Sequence, residues 1–184
     1  MLHRRPSRAR QLGLLLATGA IALLSACSTL DQGRPPQLEP QTSWVVLPFA
    51  NHSEPPLAGQ RAAAIAQALL SAQGVGQVRR TPATTQQEAL FGAGDAQRSE
   101  DALAWAREQK IRYALAGSVE EWRYKVGVDG EPAAGVTLQI LDVATGDTLW
   151  SGSGGQSGWS REALSAVAQK LIRKLLQSGL AGSR

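Results

Sequence analysis

The chain contains a single cysteine, Cys27. No disulfide can close within it, so any fold must be held by its own apolar core. The position of that cysteine is a second constraint. Before it come a basic stretch, with Arg4, Arg5, Arg8 and Arg10 and no acid, and an apolar run from Leu12 to Leu24 broken only by Gly13, Thr18 and Gly19. The run is shorter than the roughly 20 apolar residues that a stable membrane-spanning helix needs. It has the length of the apolar region of a secretory signal. Residues 1–26 are therefore expected to be removed on export. What remains has the length of one domain, large enough for a core without disulfides.

Leu24-Ser25-Ala26-Cys27 resembles the lipobox of bacterial lipoproteins. Small residues at 25 and 26 let a peptidase reach the backbone. The Cys27 thiol is the expected nucleophile for a diacylglycerol, and its freed amine would take an acyl chain. Such an anchor exceeds the two membrane signals that stable attachment requires. Ser28 stands where Asp favours inner-membrane retention, so the expected location is the outer membrane, facing the periplasm. Residues 27–42, with Pro35, Pro36 and Pro40 and no periodicity, read as the lipidated cysteine and a flexible tether. Fully extended, the tether would reach about 50 Å. A single α/β periplasmic domain is expected over 43–184.

The pI near 9.7 misstates the mature charge. Of 19 Lys and Arg, four lie in the first ten residues, and the remaining 15 balance the 15 acids. A nucleic-acid partner, which needs a basic excess, is therefore not expected.

Trp44-Val45-Val46-Leu47-Pro48-Phe49 reads as a buried strand stopping near Pro48. An Ala-rich helix follows from Leu57 to Gln73, closed by Gly74, and Val75–Arg80 gives a second strand. Residues 81–98 read as a loop. Ser99, followed by Glu100 and Asp101, caps a helix ending near Lys110. Tyr113–Val126, Gly135–Val143 and Thr148–Gly152 form an antiparallel meander, with a hairpin turn at Asp129-Gly130. Ser160 is expected to cap the last helix, where Leu164, Val167, Ala168, Leu171 and Leu175 share one face. The fold class is α/β: a mixed β-sheet with an antiparallel meander backed by helices, in the order β-α-β-α-β-β-β-α.

No catalytic motif emerges, and neither a cofactor nor a metal is called for. Gly155-Gln156-Ser157-Gly158-Trp159 lacks the last Gly of a nucleophile elbow. His52 is the one histidine left after the signal, too few for a His triad or a zinc site. Glu120 and Glu121 are sequential and should point to opposite faces of a strand. Asp129, Glu131, Asp142 and Asp147 lie near turns. They read either as solvated turn acids or, together with Glu120, as a ring of negative charge in an oligomer. Trp44, Trp122 and Trp150 fit a core, and Trp105 sits on a helix. Trp159, between a Gly/Ser-rich segment and the last helix, suits a membrane interface, where the indole N–H stays wet.

Ser43 to Asn51 followed by an Ala-rich helix resembles the first strand and helix of TolB N-terminal-like and CsgG-like periplasmic domains. Ala116–Trp122 and Thr145–Gly152 are similar to strand motifs of that group. Glu121–Gly127 and Ser157-Gly158-Trp159-Ser160 resemble the PelC family, outer-membrane lipoproteins of the Pel exopolysaccharide export system. The likeness covers nearly the whole mature domain. It implies a non-enzymatic homo-oligomeric ring that guides a cationic polysaccharide to an outer-membrane porin, with Trp159 seating the ring on the membrane. Glu120, Asp129, Glu131 and Asp142 are candidate polysaccharide-facing acids. Two alternatives stand beside it. One is a monomeric lipoprotein activator of an envelope enzyme such as a peptidoglycan synthase, which the short tether disfavours. The other is a glycan-modifying enzyme, which needs two carboxylates about 5–10 Å apart.

Overall fold

The computed structural model describes residues 28–82, 94–126 and 130–183. The signal, Cys27 and Asp129 lie outside the described residues. The elements are β1 (Ser28–Gln32), β2 (Thr42–Val46), β3 (Ala50–Asn51), α1 (Ala58–Ala72), β4 (Gly76–Arg80), α2 (Asp95–Glu108), β5 (Tyr113–Tyr124), β6 (Pro132–Asp142), β7 (Thr148–Ser157) and α3 (Leu164–Gly179), with a closing 3-10 turn at Ala181–Ser183. One mixed sheet runs β1-β7-β6-β5-β2-β4, with β3 paired to β5. β2 is parallel to β4 and β5, whereas β5, β6, β7 and β1 are successively antiparallel. The α/β class and the meander follow the sequence expectation.

α1 and α3 cover one face of the sheet. There Leu70, Leu171 and Leu175 pack with Trp44, Val46, Leu115, Val119, Val136, Leu138, Ile140 and Trp150. On the other face, among the described residues, Ala102 and Ala106 of α2 lie against Val45, Leu47, Ala114 and Ala116. β2 is thus buried on both sides, which is why it reads as an unbroken apolar run rather than an alternating one. Each fully buried aliphatic side chain contributes about 1.5–3 kcal/mol, and these two layers replace the disulfides the chain lacks.

Residues 28–42 depart from the flexible tether expected of them. β1 pairs with the edge of β7, Leu30 standing opposite Gly154. A Cβ at Gly154 would lie 2.7 Å from Leu30 Cδ2 and 2.9 Å from Leu171 Cδ1, so the missing side chain is the space these leucines use. Downstream, Gly33 N–H donates to Ser151 O (2.9 Å) and Trp150 Nε1 to Gly33 O (3.2 Å). Leu38 is buried in the core, and Gln41 Nε2 donates to Gly74 O (2.9 Å). Among the described residues, the packed fold therefore extends back to Ser28.

Three boundaries also differ. α2 starts at Asp95, ahead of Ser99, with Gly94 before it. β7 runs on to Ser157 through the glycines expected to form a loop, because inward Gly152 and Gly154 admit the side chains of Trp150, Leu171 and Leu30. α3 starts at Leu164 after Ala163, so Ser160 is not its cap. Ser160 sits instead in a turn closed by Glu162 N–H to Trp159 O (2.9 Å).

Candidate functional site

β5 and β7 run in the same direction, so their ends meet at one end of the sheet. The start of β6 and the start of β1 lie there too. Trp159 follows β7 directly and is 61% exposed. At the same end of the sheet, Tyr124 is half-exposed and Val126 fully exposed. Tyr124 Oη accepts from Leu164 N–H (3.2 Å), tying the end of β5 to the loop that carries Trp159. Lys125 Nζ donates to Ser157 Oγ (2.7 Å). An apolar rim of Tyr124, Val126 and Trp159 therefore marks this end.

The loop is built rather than slack. Arg161 takes a left-handed conformation (φ 71°). Gly158 N–H donates to Pro132 O (2.8 Å), and a side chain at Gly158 would run into Val167, Glu162 and Pro132. Glu162 Oε2 accepts from the Trp159 N–H (3.2 Å), while Oε1 accepts from Lys170 Nζ (2.6 Å). Lys170 first, and the Trp159 backbone after it, hold the Glu162 carboxyl below its ordinary range. The backbone is thus pinned while the indole is left to solvent. Tyr124 and Val126 did not stand out in the sequence. Their signal was slight: a strand whose apolar positions continue past its last buried residue, Trp122.

β1 adds to the same end. Ser28 stands opposite Gln156, two residues before Gly158. The residue preceding Ser28 in the sequence is Cys27.

The described candidate acids, Glu120, Glu131 and Asp142, are not brought together. Glu120 is exposed on β5. Its Oε1 accepts from Ser118 Oγ (2.5 Å) and its Oε2 lies 3.1 Å from His52 Nδ1. The Ser118 hydroxyl, and then His52, hold this carboxyl below its ordinary range despite some burial. Both Ser118 and His52 address the carboxylate and not each other, so they form no serine–histidine relay. Glu131 is exposed in the hairpin next to Lys125.

Asp142 is a correction. It lies at the far end of the β5–β6 ladder, opposite Tyr113, and its side chain is only 13% exposed. Oδ2 pairs with Arg112 Nη1, and Oδ1 accepts from Ala144 N–H (2.9 Å) and Thr145 N–H (3.3 Å). Arg112 also binds Glu39 (3.0 Å) and lies over the Tyr113 ring (4.8 Å). Arg112, with the turn amides, pulls the Asp142 carboxyl below its ordinary range. Its charge is paired within the fold and largely withdrawn from solvent.

Glu120 and Glu121 also defeat the alternation expected of them. The β5–β6 register shifts between Val119 and Glu121. Both Cβ atoms flank the same side of Gly135, at 3.5 and 3.3 Å from a Cβ placed there. The bulge puts the two acids on one face. They do not act as a pair, because Glu121 is held by Arg123 (2.9 Å).

No family model matches the chain, and no curated protein matches it. Solved structures do. The PelC dodecamer from Paraburkholderia phytofirmans is 42% identical, with a TM-score of 0.71 over 86% of this chain and 99% of that one. A dodecamer of a variant of that protein, in a second crystal form, gives 42% identity and a TM-score of 0.72 over 86% of this chain and 100% of that one. The lipoprotein GNA1162 from Neisseria meningitidis shares the fold, with 20% identity and a TM-score of 0.55 over 77% of this chain and 99% of its own.

Proposed function

This chain belongs to the PelC family, and we propose that it is a lipid-anchored component of a Pel-type exopolysaccharide export machine. It sits on the periplasmic face of the outer membrane as a homo-oligomeric ring. The ring delivers a cationic polysaccharide to an outer-membrane porin. The dodecameric state of its relatives supports the ring.

One observation carries the rest: the start of β1 and the exposed Trp159 lie at the same end of the sheet. Lipid on Cys27 would then enter the bilayer beside Trp159, Tyr124 and Val126. Indole and phenol rings favour this interface because one end is apolar and the other wet. Because β1 is part of the sheet, no spacer separates the anchor from the domain. That supports a ring lying on the membrane and disfavours an activator reaching across the periplasm. Of the candidate acids, Glu120 and Glu131 are the described ones left exposed to attract a polycation, raising its local concentration at the pore mouth. Ser118 and then His52 bind the charged form of Glu120 and hold its carboxyl below the ordinary range.

The test is the native mass of the lipid-bearing protein, extracted in mild detergent, together with its flotation on liposomes. A single closed oligomer that floats supports the assignment. A monomer in detergent that is also monomeric on liposomes overturns it.

A further inference from the structure

Residues 28–41 lie on the domain in two parts that are held very differently. From Gly33 onwards the grip is firm. The Gly33 N–H donates to Ser151 O, and its carbonyl accepts from Trp150 Nε1. Leu38 is buried. The Glu39 N–H donates to Tyr113 Oη (3.1 Å), and the Glu39 carboxylate accepts from Arg112 Nε (3.0 Å). β1 itself is held loosely. All its residues, Ser28 to Gln32, are exposed, and among the described residues they pair with β7 alone. Its one apolar side chain, Leu30, stays 40% exposed, and Asp31 is in no ion pair among the described residues. The edge beneath it, Ser151-Gly152-Ser153-Gly154-Gly155, carries no apolar side chain, so uncovering it leaves a poor template for stray pairing.

A lipid anchor places a conflicting demand on this segment. Long acyl chains do not cross water unshielded, so reaching an outer membrane takes a carrier that encloses them in an apolar cavity. A cavity wall one helix thick measures about 10 Å. Cys27 is one residue from Ser28, a step of about 3.8 Å, and Ser28 already stands in the sheet opposite Gln156. With β1 docked, no wall fits between the chains and the domain. With β1 released and Gly33 still clipped, residues 27 to 33 span about 20 Å at full stretch, twice the thickness of the wall. On a bilayer no wall intervenes, and the docked strand sets the anchor at the end of the sheet that carries Tyr124, Val126 and Trp159.

We propose that β1 is a releasable strand: it leaves β7 while a soluble acyl-binding carrier holds the lipidated Cys27, and it pairs with β7 once the chains enter the outer membrane. Residues 33–41 stay in place in both states. This rests on the lipid-anchor reading and adds to it the step that delivers the anchor. The flexible tether that the composition of residues 28–32 predicts is the state in transit, and the strand is the state at the destination.

The experiment locks the strand. Asp31 stands opposite Ser153, and facing residues of antiparallel strands lie about 4.5–5.5 Å apart at Cα, within the span of a disulfide. Asp31→Cys combined with Ser153→Cys in the full chain therefore ties β1 to β7 in the oxidising periplasm. The readouts are fatty-acid incorporation, thiol blocking to score the disulfide, and separation of inner from outer membrane. The parent and each single variant are expected in the outer membrane. The locked variant is expected to take up fatty acid yet to be lost from the outer-membrane fraction and to collect in the inner one. A Gly/Ser insert of roughly six residues between Ser28 and Thr29, about 20 Å long, is expected to restore arrival with the disulfide intact. Arrival of the locked variant without the insert overturns the proposal, as does a loss that the insert does not rescue. Thiols that stay free in the doubly substituted protein at the outer membrane overturn the docked state. Fatty acid absent from the parent, or a parent that stays in the inner membrane, overturns the anchor reading itself, which is a separate result.

Discussion

Replacing Asp142 with alanine separates a structural acid from a polysaccharide-facing one. The side chain is 13% exposed, pairs with Arg112 and accepts two turn amides. Removing one partner of a fully buried pair costs about 3–5 kcal/mol, whereas exposed pairs are worth about 0–1. Arg112 is 35% exposed and keeps Glu39 as a second partner, which places the loss between these limits. Two turn amides also lose a charged acceptor, so a loss of roughly 2–3 kcal/mol follows. For a domain of this size each kcal/mol moves Tm by about 2–4 °C, so the variant should melt roughly 5–10 °C lower at pH 7. The pH dependence supplies the sign. The folded Asp142 carboxyl sits below its ordinary range because of Arg112. Its contribution is fully present above the unfolded value near 4 and is lost as pH falls through the lower folded value. The gap between parent and variant should therefore narrow in acid. Asp142→Asn, which keeps an acceptor for the turn, should fall between them. Thermal melts at pH 7 and pH 3 measure all of this. A variant that melts with the parent at pH 7 yet fails in export would refute the structural role and return Asp142 to the polymer path.

Cys27→Ala should leave the precursor unlipidated, because no other thiol exists; labelled fatty acid appearing in that variant would sink the anchor assignment. Trp159→Ala should weaken liposome flotation while Tm stays within a few degrees, since the loop is pinned by backbone contacts and the indole is exposed; a large fall in Tm would show the ring to be holding the fold. Gly154→Val should destabilise by about 1–3 kcal/mol through overpacking, because even its Cβ would lie within 3 Å of Leu30, Leu171 and Thr29 O. Urea unfolding checks this last case, and an unchanged midpoint would mean that β1 yields at little expense.

The meander and the last helix were legible because their own residues carry the pattern: alternation along β5 and β6, and Val167, Ala168, Leu171 and Leu175 on one face of α3. The exposure of Trp159 was legible too, since Gly and Ser around it offer no local partner. β1 was not. Ser-Thr-Leu-Asp-Gln has no periodicity of its own, and its strand exists because glycines more than 120 residues later leave room for Leu30. The bulge at Glu120 likewise depends on how β5 pairs with β6, so sequence alternation assigned its neighbour to the wrong face. Asp142 looked like any turn acid until Arg112, 30 residues earlier, closed on it. Local periodicity and propensity act between near neighbours and can be read in order along a chain. Strand register, charge pairing and edge exposure are set by groups distant in sequence, so only the packed tertiary structure decides them.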